Sequence, residues 1–151
     1  MAQKYEIQEI RELTEDLLGE IFQLEKLIFK APYGKKKIKS KLARNQRHIL
    51  LIAKRQNEIV GYKFGYEKSK ELFYSWIGGV SPSHRKNGIA KALMVEQHKL
   101  AKARGYRSVQ TATKNQFKNM LIFNLKIGFE ITKLVDKEGE TSPIIILEKS
   151  L

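Results

Sequence analysis

The chain has 151 residues, 42% of them apolar, which is enough for one compact core and too many for a disordered segment. Lysine and arginine number 29 against 16 acidic residues, a net charge of +13, and there is no cysteine. That composition excludes disulfide frameworks, thiol nucleophiles and thiolate metal sites; His48, His84 and His98 lack metal-ligand spacing, so no metal is expected.

Residues 5–10 alternate as a short first strand. Thr14 then offers an N-cap ahead of Glu15 and Asp16, and Leu17, Leu18, Ile21, Leu24, Leu27 and Ile28 recur at helical spacing. A helix is expected to about Phe29, ended by Ala31-Pro32-Tyr33-Gly34. Residues 35–46 form a basic segment with Ile38 and Leu42 on one stripe, a second helix. The apolar run 48–53 predicts a strand covered on both faces. A third strand puts Val60, Tyr62, Phe64 and Tyr66 on one face, with Gly61 and Gly65 opposite. The next strand spans 72–80, and Gly78-Gly79 near its end predicts a bulge or a close backbone approach.

After a turn at 82–88 comes a helix over about 89–104, stopped by Gly105. Residues 108–112 form a strand, 117–127 a helix closed by Gly128, and 129–134 with 143–148 a final hairpin. The order β-α-α-β-β-β-α-β-α-β-β describes a mixed α/β layered domain of seven strands and four helices. The uncharged stretch 72–84 is too short and polar to span a bilayer. Met1-Ala-Gln-Lys-Tyr-Glu6 lacks a secretory apolar region, so a soluble cytoplasmic protein with no membrane partner is expected.

The charge is concentrated: residues 30–70 hold 13 basic and 2 acidic groups, whereas residues 1–29 hold 3 and 7. A basic middle suits a phosphate-bearing partner, the alternative being a solvated lysine-rich surface. The segment Val80-Ser-Pro-Ser-His-Arg-Lys-Asn-Gly-Ile-Ala-Lys-Ala-Leu93 leaves a strand, turns through two basic side chains and enters a helix at Gly88. Helix starts expose unpaired N–H groups, and Gly88 lets an anion approach without meeting a Cβ, with Arg85 and Lys86 adding full charges. This is a diphosphate cradle, although a helix with a basic first turn has the same local pattern. It is not the nucleotide-triphosphate loop, since Ile89 and Ala90 follow the glycine, and it does not follow the first strand as a dinucleotide fingerprint would.

The segment and its place after the fourth strand resemble the GCN5-related N-acetyltransferase (GNAT) superfamily. The family's motif Gln/Arg-x-x-Gly-x-Gly/Ala is matched by Arg85, Gly88 and Ala90, and its helix ending in Gly-Phe by residues 119–129. The resemblance covers essentially the whole chain as one acyltransferase domain, 1–151, with a mostly antiparallel sheet. It implies acetyl-CoA as co-substrate, its pyrophosphate on N–H groups from Arg85 through Lys86, Asn87, Gly88 and Ile89 to Ala90. It also implies that pantetheine pairs with the edge at Gly79 and Val80, and that the Val80 N–H polarises the thioester carbonyl. The amine acceptor would enter between the first two helices and attack directly, in keeping with the missing cysteine.

Many members carry a tyrosine four residues before the Gly-Phe pair; here the position is Asn124, which cannot deliver a proton. Some members share the arrangement of Asn115, Asn119 and Met120, making Asn115 and Asn124 candidates for contact with coenzyme A. The alternative for Asn124 is a buried amide satisfying backbone. Glu25 and Glu71 are candidates for the base that takes the amine proton through a water, the alternative for each being an ordinary surface carboxylate. Phe29 and Tyr33 line the acceptor pocket or serve as core or lid. Two competing functions remain: a basic nucleic-acid-binding module using residues 35–47, and a non-catalytic acyl-CoA binder. The final hairpin, if exposed, leaves room for a homodimer.

Overall fold

The computed structural model describes residues 4–151. The reading of the N-terminus rested partly on residues 1–3, which lie outside that range. Seven strands, β1 (Glu6–Ile10), β2 (Ile49–Arg55), β3 (Glu58–Ser69), β4 (Leu72–Val80), β5 (Ser108–Lys114), β6 (Glu130–Val135) and β7 (Ile144–Ser150), form one sheet in the order β1-β2-β3-β4-β5-β7-β6. Every neighbouring pair is antiparallel except β4 and β5. Four helices cover it: α1 (Glu15–Ile28), α2 (Lys35–Arg44), α3 (Ile89–Ala103) and α4 (Lys118–Ile127). The mixed, mostly antiparallel architecture and the element order agree with the expectation.

Local chemistry places the helices. Thr14 caps α1, its hydroxyl accepting from the Leu17 N–H at 3.2 Å, and Glu15 and Asp16 sit where the helix dipole favours them. Leu18, Ile21 and Leu24 of α1 and Ile38 and Leu42 of α2 pack on one face of the sheet against Leu50, Ile52, Tyr62, Phe64 and Ile77. On the other face Ile89, Leu93, Met94 and Ala101 of α3 pack against Ile49, Leu51, Phe73, Val109 and Leu147. Residues 49–53 are buried throughout, as a strand covered on both sides must be.

Two details differ from the alternation read in the sequence. A register shift at Ala53/Lys54 turns Val60 to the α3 face, and Ile59 takes the place expected for it beside Tyr62. The bulge of β4 lies not at Gly78-Gly79 but at Trp76: Phe64 opposes Ile77 and Gly65 opposes Ser75, leaving Trp76 unpaired. A bulge sets two successive side chains on one side, so Trp76 and Ile77 both face α1 and α2. The glycines serve the close approach instead. A Cβ on Gly78 would meet the Tyr62 carbonyl at 2.8 Å, and one on Gly79 would meet the Ile28 side chain of α1 at 2.9 Å. The edge strand β6 is exposed, with Ile131 and Leu134 bare.

Among the described glycines, Gly65 leaves the least room for a side chain. A Cβ there would lie 2.5 Å from the Tyr74 carbonyl oxygen and 2.6 Å from the Phe73 ring. Gly65→Ala is expected to cost about 2 kcal/mol and lower Tm by roughly 4–8 °C, read by thermal unfolding. An unchanged melt would contradict this packing.

Candidate active site

β4 and β5 pair in parallel over only three positions, Leu72–Tyr74 against Ser108–Gln110. The Thr111 hydroxyl, donating to the Ser75 carbonyl at 2.9 Å, is the last link before the strands part. Beyond it opens a cleft of about 820 Å³ that passes from one face of the sheet to the other. On the α3 side it is lined by Ala90, Leu93, Met94, residues 111–114, Phe117 at the N-cap of α4, and Met120 and Phe123 of that helix. On the opposite side stand Phe29, Tyr33, Tyr62, Tyr66, Tyr74 and Trp76, with Lys37 and Lys41 of α2.

Ladder geometry decides which backbone groups face this gap. The Ser81 N–H donates to the Val60 carbonyl at 2.8 Å, so Gly61 and Val80 oppose each other as a pair that exchanges no hydrogen bond. The Val80 N–H and C=O therefore point away from β3, into the space β5 has vacated. Gly78, two residues earlier, has the same orientation, whereas Gly79 is tied to Tyr62. The Val80 carbonyl accepts from Arg85 Nε at 3.3 Å, which leaves its N–H as the donor at the head of the cleft.

The chain then makes a single 3₁₀ turn, Pro82–His84, and enters α3. Gly88 is the N-cap at φ +77°, a left-handed conformation that costs other residues, and nothing lies within 4 Å of where its Cβ would be. It has no side chain to cap with, and the Ala92 N–H, 3.0 Å from the Gly88 carbonyl, is the first to bond inside the helix. The N–H groups of Ile89, Ala90 and Lys91 are thus helix-start orphans facing outward. Arg85 departs from expectation, because its own N–H is already turned to the Pro82 carbonyl at 3.5 Å. Its guanidinium reaches back to Val80 instead. Lys86 adopts φ +68°, Asn87 bonds the His84 carbonyl at 3.3 Å, and the Ile89 side chain is buried in the core.

Glu25 is no surface carboxylate: it is 0% exposed. One oxygen accepts from the Tyr62 hydroxyl at 3.0 Å and the other from the Gly34 N–H at 3.3 Å. Burial raises its pKa above the ordinary carboxylate value, partly offset by those hydrogen bonds. Burial and the Glu25 charge hold the Tyr62 phenol far above its usual range, so it stays protonated. Around them the aromatic rings meet edge to face, Tyr33 with Phe29 at 6.4 Å and with Trp76 at 5.6 Å, and Tyr66 with Tyr74 at 5.5 Å.

Three expected site residues are not brought to the cleft. Glu71 stands at the opposite end of β4 from Gly79, roughly 25 Å along the strand, exposed and 3.6 Å from Arg107. Asn124 is buried and does not line the cleft; its main-chain carbonyl accepts the Phe129 N–H at 3.0 Å and closes α4. Asn115 is exposed in the turn between β5 and α4, outside the lining. The helix and its N-cap instead offer Phe117, Met120 and Phe123, an i, i+3, i+6 apolar stripe that was legible in the sequence.

Sequence reasoning missed the polar group beneath α3. Lys63 lies on the glycine face of β3 and lines the cleft, and burial lowers it to about 8. Ser75 donates to Gln97 Oε1 at 2.7 Å, while Gln97 Nε2 and His98 Nε2 are buried without a partner. Burial, with Lys149 and Lys63 nearby, lowers His98 to about 3, so it is neutral. The signal was available as a lone lysine between Gly61 and Gly65.

The model of a GNAT acetyltransferase domain matches residues 46–131. Ard1 from Thermoplasma volcanium superposes with a TM-score of 0.85 at 18% identity, covering 97% of each chain. The ribosomal-protein-S18-alanine N-acetyltransferase from Escherichia coli gives 0.83 at 12% identity, over 97% of this chain and 94% of that one. A GNAT family acetyltransferase from Elizabethkingia anophelis with acetyl-CoA bound gives 0.76 at 23% identity, over 97% and 98%. No curated protein matches the sequence. The matched segment runs from β2 through the cleft-forming strands, the α3 start and α4, and the chain belongs to the GNAT acetyltransferase family.

Proposed function

We propose that the protein transfers an acetyl group from acetyl-CoA directly to a primary amine. The observation that carries this reading is the junction of β4 and α3, where one strand end turns an N–H into the cleft and an uncapped helix start follows within ten residues. Anions bind at such helix starts, and the open space over Gly88 admits a phosphate oxygen. Lys86, Gly88, Ile89 and Ala90 would hold the diphosphate, with the Lys86 side chain adding charge. The bound molecule supplies the activated acetyl thioester.

The Val80 N–H donates to the carbonyl oxygen as negative charge gathers there, the role of an oxyanion donor. On the other side of the sheet the incoming ammonium must lose a proton. Glu25 does not itself line the cleft, but Tyr62 does, and the Tyr62 hydroxyl donates to Glu25. The phenol oxygen accepts a proton from the ammonium as its own proton passes to Glu25. Tyr62 is unchanged, Glu25 becomes a carboxylic acid, and the free amine attacks the thioester carbon; as the C–N bond forms the C–S bond breaks, and coenzyme A leaves as a thiolate that takes up the second amine proton to become the thiol. The raised pKa of Glu25 brings it nearer neutrality, where a general base is most effective. Since coenzyme A does not cross membranes unaided, the reaction is placed in the cytoplasm; no described helix is long and apolar enough to span a membrane. The exposed β6 edge is where a homodimer would form by strand pairing.

Isothermal titration with acetyl-CoA, followed by a thiol-release assay over an amine panel, tests the function against the nucleic-acid and non-catalytic alternatives. Micromolar binding with amine-dependent release is expected; no binding overturns the reading. Gly88→Leu should weaken coenzyme A at least about tenfold while the protein stays folded, because the left-handed position costs only roughly 1–2 kcal/mol. Unchanged affinity would misplace the cradle.

Glu25 must be ionised to accept the proton, so the rate should fall as pH drops through its raised pKa. In Glu25→Gln that acidic limb should vanish and kcat should fall about a hundredfold. An unaltered pH profile would remove Glu25 from the mechanism.

A further inference from the structure

Lys37 and Lys41 are one turn apart on α2 and both line the cleft on the face opposite α3. Their ammonium groups lie over its aromatic walls, Lys37 Nζ 5.0 Å from the Tyr33 ring centre and Lys41 Nζ 5.9 Å from that of Trp76. The helix that carries them, residues 35–44, contains five lysines and one arginine and no acid.

The carboxylates nearby are engaged. Glu25 is sealed behind Tyr62 and Gly34, Glu140 pairs with Lys114 at 2.9 Å, and Glu15 pairs with Lys39. Among the described residues, Glu140 is the one carboxylate that lines the cleft, and its partner is Lys114.

Resting on the acetyltransferase reading, we infer that the acceptor is a small primary amine that also carries an anionic group, a carboxylate or a phosphate, which Lys37 and Lys41 hold at the mouth while the amine reaches Tyr62. The rings of Tyr33, Tyr66, Tyr74 and Trp76 leave space between these two polar ends for an apolar body. A polycationic amine, such as a polyamine or an aminoglycoside, meets two like charges at the mouth, with no unpaired carboxylate lining the cleft to offset them. The lysines are not needed for the diphosphate, which the α3 start takes on the other face.

The test compares matched pairs in the thiol-release assay: phenylalanine against phenethylamine for the carboxylate, phosphoethanolamine against ethanolamine for the phosphate, with spermidine and kanamycin as polycations. At least one anion-bearing member should exceed its neutral partner in kcat/KM by about tenfold or more, as one charge-assisted contact implies, and the pair that does so identifies the anion. The double variant Lys37→Ala, Lys41→Ala should bring that ratio close to one through a higher KM. Its acetyl-CoA affinity, measured by calorimetry, separates loss of the acceptor site from loss of the fold.

Preference for a polycation, equal rates within both pairs, a ratio that survives the double variant, or acetyl-CoA binding with no amine of the panel accepted would each overturn the inference. Failure to bind acetyl-CoA at all would instead overturn the acetyltransferase reading on which it rests.

Discussion

The site depends on where one pair of strands stops pairing. β4 and β5 share three positions and a single side-chain link from Thr111, and then separate. Continued pairing would give the Val80 N–H a carbonyl partner and close the route between the two faces of the sheet. Separation leaves a polar backbone group unpaired, which a protein interior tolerates only where solvent or a ligand can satisfy it. The unpaired N–H and the cleft are therefore two aspects of one departure from regular sheet geometry.

Other irregularities are arranged around that gap. The bulge at Trp76 turns an extra aromatic ring toward α2, widening the apolar wall where the acceptor would enter. Gly78 and Gly79 keep β4 close to β3 and to Ile28, so the strand end is held firmly although one of its edges is free. Glu25, fully buried, joins α1 to β3 through Tyr62 and to the start of α2 through Gly34. A buried carboxylate without partners would be costly; with two donors it is retained, and its hydrogen bond to Tyr62 connects it to the cleft.

Much of this was legible in the chain. Apolar spacing marked the helices, the uninterrupted run at 49–53 marked a doubly covered strand, and Gly88 marked the uncapped start of α3. Bulges were not legible, because an extra residue changes facing without changing composition, so Val60 was expected beside Tyr62 and the bulge at Trp76 was not foreseen. Burial of a charged residue was equally hidden: Glu25 reads as one more acid on an acidic helix until Tyr62, 37 residues away, is placed beside it. That Glu71 and Asn124 lie away from the cleft was hidden for a related reason, since a strand end and a helix face acquire meaning only when the fold shows which end and which face meet the cleft.

The most direct measurement is a ¹⁵N–¹H correlation spectrum of the labelled protein during titration with coenzyme A. The account requires the largest shifts at the amides of Val80, Gly88, Ile89 and Ala90, with little change at Glu71 or along β6. Saturable binding that left those four amides unmoved would contradict it.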